Sequence, residues 1–473
     1  MNTNVSKTRN HVFISFLLIS IVLGFVGFLY TRLENVDIPR HRYPLIDLNE
    51  YPLLITQGWT HPSAFSSVAD YITGSILVPP QKKGRSQRIM DLGFSVPQSS
   101  ILEVTFTIPF SVSASMYHTY TQLQSERGLV MPALFLASIG DNWEIYLNGT
   151  VIKSEIHIGK DGSIESHRFY KNLVIPFEYH LLKQGENLLT LHIYGSSALL
   201  FSGLYASGPY LLGSYDDLKY LHSPIPDTVA SLLFIFVGIF IIISFSFRGS
   251  LLHSMYFGLF AVVVGLYLLF RQPILYYLIP DSGILYRVSQ FSLCLVVPVF
   301  ALFLESLHKN YIGKQVRFII SVYGILGLCV LILPLGIVQY LVYVWACLSS
   351  FAALYIFGYL GLWNFYNSLR TTKSEHGCCI RQFLHTLSTD PLGISVIGGL
   401  LFFGSTIYDI IHVLINNKTS LSSLYSFSIF ILGGSVILSR YFKFIFDQLS
   451  TTNSLLAENI EILKKTQNRA KKS

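Results

Sequence analysis

Charge is what this chain has least of. Charged residues make up 12% of its 473 residues, hydrophobic residues make up 51%, and mean hydropathy is +0.51. A soluble domain carries about 25% charged residues, so the deficit excludes a conventional soluble globule and requires lipid around much of the chain. The cation surplus is small, 33 Lys and Arg against 26 Asp and Glu for a net +7. Much of it lies in the last ten residues and in short loops between apolar runs. It reads as membrane topology, and no nucleic-acid partner is expected.

Cysteine is scarce too. The five are Cys294, Cys329, Cys347, Cys378 and Cys379, and none lies between Tyr30 and Asp227. A disulfide framework is therefore excluded from that stretch, which must be stable through its own core. Also missing are a phosphate-binding glycine loop, a nucleophile–base triad pattern and an HExxH helix. No enzyme activity and no cofactor are expected. Glu375-His376-Gly377-Cys378-Cys379, with His385, has metal-ligand residue types. Adjacent cysteines suit one tetrahedral ion poorly, and reduced thiols are the expected state.

What the chain has is long apolar runs. The first, Val12 to Tyr30, follows Lys7 and Arg9. At about 1.5 Å per residue it spans roughly 28 Å, close to a bilayer core. It ends in Leu-Tyr-Thr-Arg-Leu-Glu without a small-residue cleavage site, so an uncleaved anchor is expected, with a cleaved signal as the alternative. Seven further spans follow, near 229–247, 251–270, 288–306, 318–334, 338–362, 391–414 and 424–438. The loops after the first, third and fifth carry Arg248, then Lys309, Lys314 and Arg317, then Arg370, Lys373 and Arg381, with Arg440 and Lys443 after the last. The opposite loops carry only Arg271, Arg287 and Lys418. By the positive-inside rule both chain ends are cytoplasmic and residues 31–223 are outside.

That outer segment is β-rich. Ile101 to Pro109 alternates apolar and polar residues, as a half-buried strand does. Asn142 to Lys153 reads as a hairpin about Asn148-Gly149, a pair that tolerates φ > 0 at both turn positions. Trp143, Ile145 and Leu147 share one face of its first strand and Glu144 and Tyr146 the other. Trp143 is expected to be core rather than a sugar-stacking platform. Asn187 to Gly195 gives another strand. The basic run Lys82-Lys83-Gly84-Arg85-Ser86-Gln87-Arg88 is expected to be a solvated loop, with an anion site as the alternative. Short strands at this spacing suggest a β-sandwich. The pair Trp143-Glu-Ile-Tyr-Leu-Asn-Gly149 and Gly185-Glu-Asn-Leu-Leu-Thr-Leu-His-Ile-Tyr-Gly195 resembles jelly-roll carbohydrate-binding modules.

In the membrane block, Met255-Tyr-Phe-Gly-Leu-Phe260, Leu275-Tyr-Tyr-Leu-Ile-Pro-Asp281, Val297 to Ser306, Leu400 to Ile411 and Leu438-Ser-Arg-Tyr-Phe442 occur in order. This ordered set resembles the bacterial seven-transmembrane receptors with diverse intracellular signalling modules. The resemblance implies a sensory outer domain and a helical transmitter. It also implies a C-terminal output domain, which the given sequence lacks; the expected alternatives are a sequence truncated relative to its relatives or a separate cytoplasmic effector docking on the coil.

Asp409 and His412 lie three apart within a span, where an ionisable residue is a functional candidate. A conformational polar contact is expected; proton transport is the alternative. Glu305 is expected at the inner interface in water. In the tail, Ile445, Leu449, Thr452, Leu456, Asn459 and Leu463 form a weak a/d seam, two of its six positions being polar, with Leu449 and Leu456 the candidate signal-transmission residues.

The expected organisation is a multi-domain membrane protein of the bacterial inner membrane. It has an anchor (1–30), an all-β jelly-roll-like sandwich (31–223), a seven-helix α bundle (224–442) and a cytoplasmic coiled helix with a basic tail (443–473). The expected function is a signalling receptor for an extracytoplasmic small molecule, carbohydrate being one candidate. It would sit among membrane lipids and act through the effector, with homodimerisation through the tail. The alternatives are a transporter or membrane enzyme using Asp409 and His412, and a scaffold without output.

Overall fold

The computed structural model describes residues 45–58, 76–81, 85–92, 101–119, 131–221, 225–246, 252–308 and 313–353, together with 355, 404, 405, 408, 450–456 and 460. An all-β region comes first and helices follow it.

The strands are β1 (Ile46–Asp47), β2 (Leu53–Gln57), β3 (Ile76–Val78), β4 (Arg85–Arg88), β5 (Ile101–Val112), β6 (Pro132–Ile139), β7 (Asn142–Leu147), β8 (Thr150–Glu155), β9 (Tyr170–Pro176), β10 (Gly185–Ser196), β11 (Gly203–Gly208) and β12 (Tyr210–Ser214). A six-stranded sheet has the order β3-β2-β5-β10-β7-β8, a four-stranded sheet β1-β12-β6-β9, and β4 pairs with β11. Alternation decides which side of each strand is apolar. Phe106 and Ile108 of β5, Leu191 and Ile193 of β10, and Trp143 and Ile145 of β7 join Leu134 of β6, Ile175 of β9 and Leu212 of β12 in one buried cluster. The two sheets therefore share a single core.

The hairpin at Asn148-Gly149 forms because both residues accept positive φ, here 50° and 87°. The Asn148 side chain is fully used. Its amide donates to Leu181 O and Asn187 Oδ1, each at 2.8 Å, and its carbonyl accepts from the Leu188 amide at 2.9 Å. Arg85–Arg88 is strand β4 rather than loop, with the Arg88 guanidinium 2.8 Å from Asp91. Pairing with β11 supplies the order that composition alone could not indicate. Residues 82–84 lie outside the described residues.

The helices are α1 (Tyr215–Leu221), α2 (Ile225–Ser246), α3 (Leu252–Leu269), α4 (Ser282–His308), α5 (Lys314–Ile332) and α6 (Leu335–Ala353). Among the described residues four helices, within α3 to α6, are long and apolar enough to cross a membrane, and Asp227–Ile243 in α2 is a shorter apolar stretch. They mark a membrane-embedded chain. Helix α4 is the most enclosed, packing Phe303 on Phe257 and Phe300 on Phe260, each pair 5.2 Å apart.

Two expectations change here. Helix α4 begins at Ser282, earlier than hydropathy implied, because its first turns carry Ser282, Tyr286 and Arg287. Arg287 donates to Val330 O and Leu333 O at the end of α5, at 2.8 and 2.7 Å. Glu305 is buried rather than solvated: its carboxylate accepts from the Gly313 amide at 3.0 Å, at the N-cap of α5. A helix N-terminus has unsatisfied amides, and an acceptor there is favourable. The anchor, the spans near 391–414 and 424–438, and the Cys378-Cys379 loop lie outside the described residues.

Candidate functional site

Among the described residues, two groups of polar side chains bear on function. The first lies on the outer face of the six-stranded sheet. Register sets His192 of β10 opposite Glu144 of β7 and Thr105 of β5, with Glu103 one same-face step along β5, opposite Tyr194. His192 Nε2 lies 2.9 Å from Glu103 Oε1, and Nδ1 lies 3.8 Å from Glu144 Oε2. Tyr146 Oη and Ser154 Oγ each donate to Glu144 at 2.7 Å. The His192 side chain is 3% exposed, but Glu103 and Glu144 are 36% and 23% exposed, so the carboxylates reach solvent where the imidazole does not. Burial holds the His192 pKa below its usual value, only partly offset by the two glutamates. Burial, the Glu103 hydrogen bond and both carboxylate charges push the Tyr194 phenol up to about 12. The partly exposed carboxylates, held by protonated phenols and a buried neutral imidazole, make a hydrogen-bonding surface suited to hydroxyl- or ammonium-bearing ligands.

The second place is the seam between the β region and the helices. Ser282 Oγ donates to His167 O and accepts from the Phe169 amide, both at 2.9 Å, while the Ser282 amide donates to His167 O at 3.0 Å. On α6, the Gln339 carbonyl accepts from the Leu200 amide at 2.7 Å, and its amide donates to Ala198 O and Gly336 O. Around these bonds Phe169 and Phe201 stack 4.8 Å apart, and Tyr286 meets Phe201 at 4.8 Å.

His167 ties the seam inward. Its Nδ1 lies 2.7 Å from Asp141 Oδ2, and Asp141 is fully buried. Burial alone disfavours charge on this imidazole. The Asp141 hydrogen bond, with the Asp141 and Asp281 charges, outweighs burial and the opposing Arg287, so the His167 pKa is raised. Its stabilising contribution is then fully present below the ordinary histidine value of about 6.5 and is lost as pH rises through the higher folded value. His192 is the reverse: its contribution is present above about 6.5 and is lost as pH falls through its lower folded value. Protease resistance of the full chain, followed from about pH 5 to 8, will show this. His167→Gln will flatten the alkaline decline and His192→Gln the acid one. Identical profiles in both variants would contradict the assignment.

Of the residues the sequence singled out, Asp409, His412 and Leu449 lie outside the described residues. Leu456 lies in the helical stretch 450–456, with its side chain 54% exposed. Neither polar cluster was found from sequence. Only the alternation placing Glu144 and Tyr146 opposite Trp143 pointed toward the first.

No family model matches the chain, and no curated protein matches it. Among solved structures it is similar in part to a beta-glycosidase from Bacteroides vulgatus, at 16% identity over 36% of this chain and 20% of that one, TM-score 0.23. It is likewise similar to a beta-glucuronidase from an uncultured Clostridium sp., at 16% identity over 36% of this chain and 29% of that one, TM-score 0.21. The match thus spans less than a third of either enzyme's length.

Proposed function

We propose that the chain is a membrane signalling receptor of the bacterial seven-transmembrane type with diverse intracellular signalling modules. In this reading the β region is an extracytoplasmic jelly-roll sandwich in a bacterial inner membrane. An extracytoplasmic small molecule, a carbohydrate being the candidate, binds the polar face at Glu103 and Glu144, whose positions the buried His192 fixes from beneath. Seven helices then carry the change to a cytoplasmic coiled helix and a separate effector, with the tail pairing two copies through Leu449 and Leu456.

One observation carries the reading. Strand β7 presents Glu144 on the polar face and Trp143 on the core face, and Trp143 Nε1 donates to Arg168 O at 2.9 Å. Arg168 lies between His167 and Phe169, the residues fastened to Ser282. A shift in β7 is therefore handed to α4 through consecutive hydrogen bonds. Ligand must still favour one of two conformations for anything to be transmitted.

The test uses the full chain and a chain truncated after Lys443 as baits for cytosolic proteins. The full chain will capture a kinase, cyclase or phosphatase that the truncated chain loses. Absence of any tail-dependent partner would favour the scaffold reading instead.

A further inference from the structure

Arg168 is a buried guanidinium short of acceptors. Its side chain is 10% exposed, and among the described residues no acceptor bonds its Nε or Nη1. Glu155 of β8 stands beside it, with Oε2 3.7 Å from Nε, too far for a hydrogen bond. The same oxygen lies 3.7 Å from His157 Nε2, while Oε1 meets Lys153 Nζ at 3.0 Å. One carboxylate is thus shared among three bases and bonds closely to only one of them. Asp141, which accepts from the Arg168 amide, is taken up by His167 at 2.7 Å.

The fold holds these bases in place. Asn142, fully buried at the start of β7, accepts from the His157 amide at 2.6 Å and donates to Ser166 O at 3.1 Å. The excursion from 157 to 166 is therefore closed at both ends, and the Ile158–Ile164 bridge braces it within. Arg168 donates from its amide to Asp141 O at 3.0 Å, and its carbonyl accepts from the Trp143 indole.

A buried charged donor without an acceptor is costly. Here two permanent cations, Lys153 and Arg168, face the single anion of Glu155, with His157 beside them. A second oxyanion would supply the missing bonds, and the planar fork of arginine suits a carboxylate. The cradle accommodates that group already, since Glu155 occupies it. Glu155 is also free to leave. Strand β8 is the edge of its sheet and the Glu155 side chain is 19% exposed, so rotation takes it to water without crossing the core.

We propose that Lys153, His157 and Arg168 form a binding site for a small carboxylate-bearing ligand, with Glu155 as the resident anion that the ligand displaces. The site is distinct from the face at Glu103 and Glu144. Register sets Glu155 opposite Trp143 and Ser154 opposite Glu144, so the two open on opposite sides of the sheet. It needs only the folded β region and not the receptor reading.

The test measures acetylation of Lys153 by an uncharged amine reagent, read by peptide mass spectrometry on the full chain in neutral detergent. Lys183, exposed in the same β region, is the internal reference. Propionate will slow labelling of Lys153 saturably, and propionamide, of the same shape without the charge, will not. In Glu155→Gln the same protection will need about fivefold less propionate, the factor for removing one partly exposed ionic competitor. Arg168→Lys, which keeps the charge but loses the fork, will weaken the protection. Glu144→Gln will leave it unchanged, although that variant is expected to impair the other face. Stronger protection by inorganic phosphate than by propionate would keep an anion site and overturn the carboxylate assignment. Equal protection by propionamide, or no protection by propionate in the unaltered chain, would overturn the site. Propionate protection that is no tighter in Glu155→Gln would overturn the displacement of Glu155.

Discussion

Replacing Trp143 with alanine will destabilise the β region by about 3–5 kcal/mol. The side chain is fully buried in the core shared by both sheets, so truncation leaves a cavity there. It also removes the indole donor to Arg168 O and the edge contact with Tyr170, whose ring centre is 5.9 Å away. The orphaned carbonyl adds about 1–3 kcal/mol wherever water cannot reach it. Trp143→Phe separates the two effects, because it keeps most of the volume and loses only the donor; about 1–2 kcal/mol is expected. Pulse proteolysis of the full chain across a urea series, following the 45–221 region, measures both. A loss below about 1 kcal/mol for the alanine variant, far under the range for a core Trp, would mean that the indole is not the keystone of this core.

The same residue shows what the sequence could and could not convey. Strand alternation assigned Trp143 to the core because facing is local and has period two. The Asn148-Gly149 turn was legible for a similar reason, since its backbone requirement belongs to two adjacent residues. The seam was not legible. Ser282 and Phe169 are 113 residues apart, and Gln339 and Leu200 are 139 apart. No periodicity links such positions, and each residue alone reads as an ordinary polar or aromatic loop or helix residue. The polar face fell between these cases. Alternation showed that Glu144 and Tyr146 point away from the core, but only register brings Glu103 and His192 beside them. Glu305 misled because charge near a helix end is commonly solvated, whereas here it caps the next helix. The start of α4 misled because hydropathy penalises Arg287, whose charge is spent on the carbonyls ending α5.

Glycine in the helices gives the second large effect. Gly238 of α2 and Gly258 of α3 are where the two helices approach most closely. A Cβ built on Gly238 would stand 2.5 Å from Gly258 O, and one on Gly258 would stand 2.7 Å from Gly238 O. Both obstacles are backbone, so no side-chain rotation relieves them. The two helices meet there only because neither residue has a side chain, and in lipid such close packing is a main source of helix association. Gly258→Val should therefore cost about 3 kcal/mol or more, at the upper end for overpacking, and Gly258→Ala a substantial part of that. Gly324 on α5 is the control, since a Cβ there meets nothing within 4 Å. Gly324→Ala should be neutral or stabilising by up to about 1 kcal/mol, because alanine is the better helix former. Unfolding of the full chain by a graded anionic detergent compares the three variants. If Gly258→Ala unfolds no earlier than Gly324→Ala, α2 and α3 do not approach through these glycines, and the cost of the valine variant would then need another explanation. If Gly258→Ala unfolds well before it, the closeness of α2 and α3 is a property of the folded chain in its amphiphile, and these two helices form a rigid pair beside α4.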